Sequence, residues 1–279
     1  MWWSSPMFAL SNGQIATLIA EQAEAHEASV ISRSGNVLFV LVRLRRPSGK
    51  IVRYHLTIEV DDPEPDVRET TPTHLPVYCP NRHINGGGYF CLSFPEADPL
   101  PIADASSAAD WWKRLLKYLN LQEATSSLRR WPSTHEWAHG RDAALHQGRA
   151  ERCAAALGPR FVELLGQRRL KAVRRGGAPT FLQLRDRGRR LYSVWVQDKR
   201  VATLRQPCLC GSGLPLVACA DHAQRAAELP LALEAWTREE KRFWDLNRER
   251  TCCGGLRQCP LRKAEAAGPS QPPLTARAA

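Results

Sequence analysis

Six of the nine cysteines, Cys208, Cys210, Cys219, Cys252, Cys253 and Cys259, fall near the end of the 279-residue chain. That crowding constrains the fold more than any other feature. With an odd cysteine count and no export-type leader, the expected setting is a reducing cytoplasm, where thiols serve as metal ligands or nucleophiles rather than disulfides. Cys208-Leu-Cys210-Gly-Ser-Gly-Leu-Pro-Leu-Val-Ala-Cys219-Ala-Asp-His222 offers two thiols one residue apart, a turn, then a thiol and an imidazole. A tetrahedral zinc takes such a donor set. Cys252, Cys253 and Cys259 are alternative donors, for the fourth position or for a second site. A structural Zn2+ here would fold a region with few core residues.

The rest of the chain is ordinary enough to pack a core, at 43% hydrophobic and 24% charged residues. The formal net charge of +11 asks for an acidic partner, either a protein surface or nucleic acid. The basic residues concentrate at Arg168-Arg169, Lys171, Arg174-Arg175 and Arg185 to Arg190. Only Tyr192 and Trp195 lie close enough to act as a stacking platform, so the preferred reading is a solvated face. No stretch approaches the ~20 apolar residues of a membrane span. Met1 to Leu10 is apolar but lacks the basic start of a secretory signal.

Local patterns predict an α/β chain of the α+β kind. Ser11 and Gln14 form a capping box ahead of Ile15, Leu18, Ile19 and Ala23, which share a helical face. Val37 to Leu44 reads as a buried strand, and Val52 to Val60 alternates as a half-buried one, ended by the prolines of Asp61 to Pro65. Ser106 or Ser107 is the expected cap of a helix with the stripe Ala108, Trp111, Trp112, Leu115, Leu116 and Leu119. Further helices are expected over 141–157 and 161–170, strands over 181–184 and 191–204, and a helix opened by a capping box at Thr237 to Glu240. The Ala/Pro-rich tail from Ala264 reads as disordered.

Chemistry concentrates in Cys79-Pro-Asn-Arg-His-Ile-Asn-Gly-Gly-Gly-Tyr-Phe-Cys91-Leu92. A thiol after a glycine-rich turn, with His83 upstream, is how a protein displays a nucleophile. The run of helix, strands, proline-rich loop, His/Asn loop, Cys-Leu and Trp-containing helix resembles the ubiquitin-conjugating enzyme fold over about residues 11–145. That family places a His-Pro-Asn tripeptide before its catalytic cysteine. Here His83 holds the asparagine's spacing, while Asn81 comes two residues too early. The variation, with Arg130-Trp-Pro-Ser-Thr-His-Glu-Trp-Ala-His-Gly140, is similar to divergent bacterial conjugating-like proteins encoded beside an adenylating enzyme and a ubiquitin-like protein.

The resemblance implies that Cys91 accepts the C-terminal acyl group of a ubiquitin-like protein from an activating enzyme and passes it to a protein target. His83 would organise the loop or donate to the oxyanion, the pathway would be bacterial, of an anti-phage kind, and no organic cofactor is needed. Cys79 is the rival thiol, read as a small buried side chain. The cysteine-rich segment resembles the SEC-C zinc motif, with Ala220 where that motif has a ligand and His222 beyond it. His135-Glu136-Trp-Ala-His139 spells the metalloprotease pattern, but Pro132 and Gly140 leave little room for its helix, and only His146 follows as a third ligand. The expected organisation is a conjugating-like domain over 1–150, a helical and β connector over 151–205, a zinc module over 206–263 and a tail over 264–279. The alternatives are an inactive conjugating-fold scaffold and a basic zinc protein that binds nucleic acid.

Overall fold

A computed structural model describes residues 10–46, 48–132, 137–177, 180–219 and 221–262. Helix α1 (Asn12–Gln22) starts from Ser11 with the capping box complete. Four strands follow, β1 (Ala28–Ser34), β2 (Val37–Arg45), β3 (Ile51–Glu59) and β4 (Asp66–Glu69), in one antiparallel sheet ordered β1-β2-β3-β4. The register sets Val42 opposite Tyr54 and Val40 opposite Leu56, so β2 and β3 turn their apolar residues to one face. Leu38, Val40, Val42 and Leu44 are buried while their neighbours in β2 are less so. The continuous apolar run is therefore one-sided, as suits an antiparallel sheet with a helix on one face.

The covering element is α2 (Ala105–Leu128). Its cap is Asp104, whose carboxylate accepts the Ser107 N–H at 2.8 Å. The expected serine cap is thus corrected: Ser107 is the return arm of the box. Trp111 and Trp112 sit edge to face with centroids 5.3 Å apart, and both are almost fully buried. Burial of two rings of this size is worth about 4–6 kcal/mol each in area terms. The Trp112 indole N–H donates to the Ile19 carbonyl at 2.9 Å, joining α2 to α1.

A second core follows. Helix α3 (Arg141–Leu157) stops at Gly158, and α4 (Pro159–Gly166) is shorter than the expected helix because Leu170 opens a strand. Strands β5 (Leu170–Arg175), β6 (Phe181–Asp186), β7 (Arg189–Trp195) and β8 (Arg200–Val201) form a second antiparallel sheet in sequence order. Arg187 and Gly188 both take positive φ between β6 and β7, the two-residue hairpin turn that matches strand twist. Helix α5 (His222–Asn247) packs along α3 and the sheet, and one core runs from Ala150 to Leu233. The capping box expected at Thr237 does not form. Thr237 lies inside α5, its hydroxyl donating to the Leu233 carbonyl at 2.9 Å, because packing carries the helix through a locally plausible start. The Met1 segment and the tail from Ala264 lie outside the described residues. No helix among the described residues is long and apolar enough to cross a membrane.

Candidate active site and metal cluster

Two isolated bridges shape the loop after β4, pairing Cys79 with Ile84 and Ile84 with Phe90. Between them the chain turns at Pro80–Arg82 and again at Gly86–Gly88. Gly87 and Gly88 stand at φ +77° and +83°, where glycine meets no Cβ penalty. His83 also takes left-handed backbone, at φ 54°, which a side-chain-bearing residue holds only when its surroundings fix it. Helix α2 supplies the fixing. The Tyr118 hydroxyl donates to the carbonyls of Arg82 and His83 at 3.2 and 3.0 Å. Gln122 donates its amide N–H to the Arg82 carbonyl and accepts from Arg82 Nε at 2.8 Å. The His83 carbonyl then accepts the Cys91 N–H at 2.8 Å. So α2 holds the His83 turn, and the turn holds Cys91.

Cys91 and His83 line one cleft of about 510 Å³. Pro80, Asn85 and Phe94 also line it, together with Trp137, His139, Gly140, Ala144 of α3 and Phe243 of α5. Gly140 is needed there. It sits at φ +91°, and a Cβ would come within 3.1 Å of the Phe243 ring. Burial pushes the Cys91 thiol above its usual value of 9.0, and Sγ lies 3.5 Å from the Ser93 carbonyl. Burial, with the neighbouring His139, pushes His83 down to about 4, so its ring is neutral near pH 7 and keeps one N–H to donate. The His83 and His139 rings lie 6.2 Å apart, and Trp131 tilts against His83 at 4.9 Å.

Asn81 faces elsewhere. Its amide donates to the Gln258 carbonyl at 3.3 Å, and it lines a separate cleft of about 380 Å³ with Arg129, Arg130 and Arg168. Asn85, which the sequence reading passed over, lines the Cys91 cleft instead. Its place between His83 and the glycine run was the available signal. Cys79 is 2% exposed, with its sulfur 3.1 Å from that of Cys253. Of the metalloprotease pattern, His135 and Glu136 lie outside the described residues. His139 Nδ1 lies 3.5 Å from a Glu240 carboxylate oxygen, between the rings of Phe243 and Trp244, and its Nε2 is buried without a hydrogen-bond partner among the described residues.

Cys208, Cys210, Cys219 and His222 converge, with their ligand atoms all within 4.8 Å of one another. His222 opens α5, and its Nδ1 lies 3.2 Å from the Cys208 sulfur and 3.3 Å from that of Cys219. The Ser212 hydroxyl and backbone N–H pull Cys210 down to about 6, while burial raises Cys208 to about 11. Three thiols and an imidazole at this spacing fit a tetrahedral metal. The basic run is partly neutralised within the fold. Arg169 binds Asp186 in a fork at 2.9 and 2.7 Å, and Arg174 binds Glu234 through two contacts of 2.6 Å.

Residues 26–133 match the family model of the prokaryotic E2 domain. Residues 138–261 match that of the cysteine-rich domain found C-terminal to E2 domains. No curated protein and no solved structure matches the chain. A conjugating-enzyme-like role goes with the first domain in general terms, and metal binding is compatible with the second. The chain therefore carries a prokaryotic E2 domain followed by the cysteine-rich domain that stands C-terminal to E2 domains.

Proposed function

We propose that this chain receives the C-terminal acyl group of a ubiquitin-like protein as a thioester on Cys91 and transfers it to a target nucleophile. The observation that supports this most is that Cys91 and His83 share one cleft inside a domain of the prokaryotic E2 family. In the first step the Cys91 thiolate attacks the carbonyl carbon of the thioester on the activating enzyme. A new S–C bond forms, the old one breaks, and the activating enzyme's cysteine leaves as thiolate, taking up the proton that Cys91 released. In the second step an amine or hydroxyl of the target attacks the same carbonyl. Cys91 leaves as thiolate and takes up, directly or through water, the proton that the nucleophile releases. In this reading the His83 N–H donates to the oxyanion that forms in both steps. ATP is consumed by the activating enzyme, not here.

In this reading residues 1–150 carry the chemistry and the remainder shapes the cleft and recruits the activating enzyme or the target. Cys208, Cys210, Cys219 and His222 would hold a structural Zn2+, which supplies a cross-link between the loop after β8 and the start of α5. The setting is a bacterial cytoplasmic conjugation pathway of the anti-phage kind.

Intact-protein mass spectrometry after incubation with ATP, an activating enzyme and a ubiquitin-like protein tests the proposal. The expected product is an adduct that thiol reductants release and that Cys91→Ala abolishes. A charged activating enzyme with no adduct on the wild type overturns the catalytic reading in favour of a scaffold. An adduct that survives Cys91→Ala moves the nucleophile to another residue.

A further inference from the structure

Four thiols outside the cluster at His222 meet where the end of the chain returns to the E2 domain. Cys79 comes from the loop after β4, and Cys252, Cys253 and Cys259 from the segment after α5. Cys79 and Cys253 touch at 3.1 Å although 174 positions separate them. Cys252 and Cys259 pack in the same small cluster, around Leu256 and Leu261. We propose that Cys79, Cys252, Cys253 and Cys259 form a second zinc site, with all-sulfur ligation, that fastens the cysteine-rich domain to the loop carrying His83.

Three observations support it. The 3.1 Å sulfur separation is far from the ~2.05 Å of a disulfide, and the other two cysteines pack in the same cluster. The Gly254 N–H donates to the Cys252 sulfur from 3.3 Å. Donors aimed at sulfur stabilise thiolate, and they form the usual outer shell of a zinc–thiolate site. The surroundings are dry, with Leu256 and Leu261 buried among the cysteines and Tyr78 and Trp244 packed around them. The Arg82 guanidinium and the Cys253 sulfur both flank Gly255, which sets a positive charge beside the four sulfurs that would surround one divalent ion.

The junction around the sulfurs is already organised. The Arg257 N–H donates to the Arg129 carbonyl at 3.0 Å, Asn81 donates to Gln258, and the Tyr78 hydroxyl donates to Asn247 at 2.7 Å. A metal on Cys79 would clamp the turn at its base, because the Cys79 carbonyl accepts the Arg82 and Ile84 N–H groups at 2.9 and 3.1 Å. This site does not depend on the thioester reading or on metal at Cys208.

Metal content of the full chain, purified without chelator, is the test. The wild type is expected to carry two zinc ions, and Cys79→Ser and Cys208→Ser are each expected to lose one. A single ion that Cys208→Ser removes and Cys79→Ser leaves in place overturns the second site. A single ion with the reverse behaviour sustains it and removes the first. Because Cys79→Ser removes a buried side chain and can unfold the loop, cadmium-113 spectra of the wild type provide an independent readout. Two resonances are expected, one with sulfur-only ligation and one shifted by a nitrogen ligand; the absence of a sulfur-only resonance overturns the proposal. So does a native mass showing a Cys79–Cys253 disulfide.

Discussion

The His83 and His139 imidazoles stack with centroids 6.2 Å apart and planes inclined by 21°. One ring belongs to the E2 loop, the other to the first residues of the cysteine-rich domain. Two rings so placed cannot both be charged at little cost, and the effect falls on the more buried His83.

Burial of His83, together with that pairing, sets an acid limit on stability. His83 titrates near 6.5 when unfolded and at about 4 when folded. Between those values the unfolded chain binds more protons, so stability rises with pH. Its contribution is complete above about pH 6.5 and is lost as pH falls through about 4, for a total of roughly 3 kcal/mol at most. Urea midpoints measured from pH 7 down to 4.5 should fall more steeply for the wild type than for His83→Asn. Equal slopes would sink the assignment.

The thiol of Cys91 should be slow. Burial holds its pKa above 9.0, so alkylation by iodoacetamide near pH 7 should run below the rate of free cysteine and still be climbing beyond pH 9. Peptide mapping with Cys91→Ser as the control isolates this site. A rate above that of free cysteine would mean an activated thiol that this environment does not explain.

Gln122 is the residue by which α2 grips the His83 turn. Gln122→Leu leaves the Arg82 guanidinium, in a residue 6% exposed, without its Nε acceptor. The expected loss is about 2–4 kcal/mol of stability. Hydrogen exchange at the Cys91 amide, which bonds the His83 carbonyl, should quicken as well. Unchanged exchange would place the hold on that turn elsewhere.

Gly140→Ala should destabilise the chain by about 1–3 kcal/mol, from unfavourable backbone at φ +91° and contact with Phe243. Pairing it with Phe243→Ala relieves the contact but not the backbone. In a double-mutant cycle by thermal unfolding, the paired change should therefore recover only part of the loss that Gly140→Ala causes beside the intact Phe243.

Where a sequence signal is local and reinforced by packing, it predicts the structure well. The Ser11 box, the alternation of β3 and the tryptophan stripe of α2 are of this kind. Strand β1 escaped notice because all but its first residues are exposed, so it shows no buried periodicity. Thr237 carries a start signal that the packing of α5 overrides. The convergence of Cys208, Cys210, Cys219 and His222 was readable because fifteen residues of chain contain it. The contact of Cys79 with Cys253 was not, because 174 positions of intervening chain carry no trace of it. For the same reason the sequence could not show that Phe243 lines the cleft with Cys91.

Ala144 of α3 and Phe243 of α5 line the same cleft as Cys91, so the thiol is bordered by both domains at once. A change in how the cysteine-rich domain sits would therefore alter what Cys91 admits even with every residue of the E2 domain unchanged.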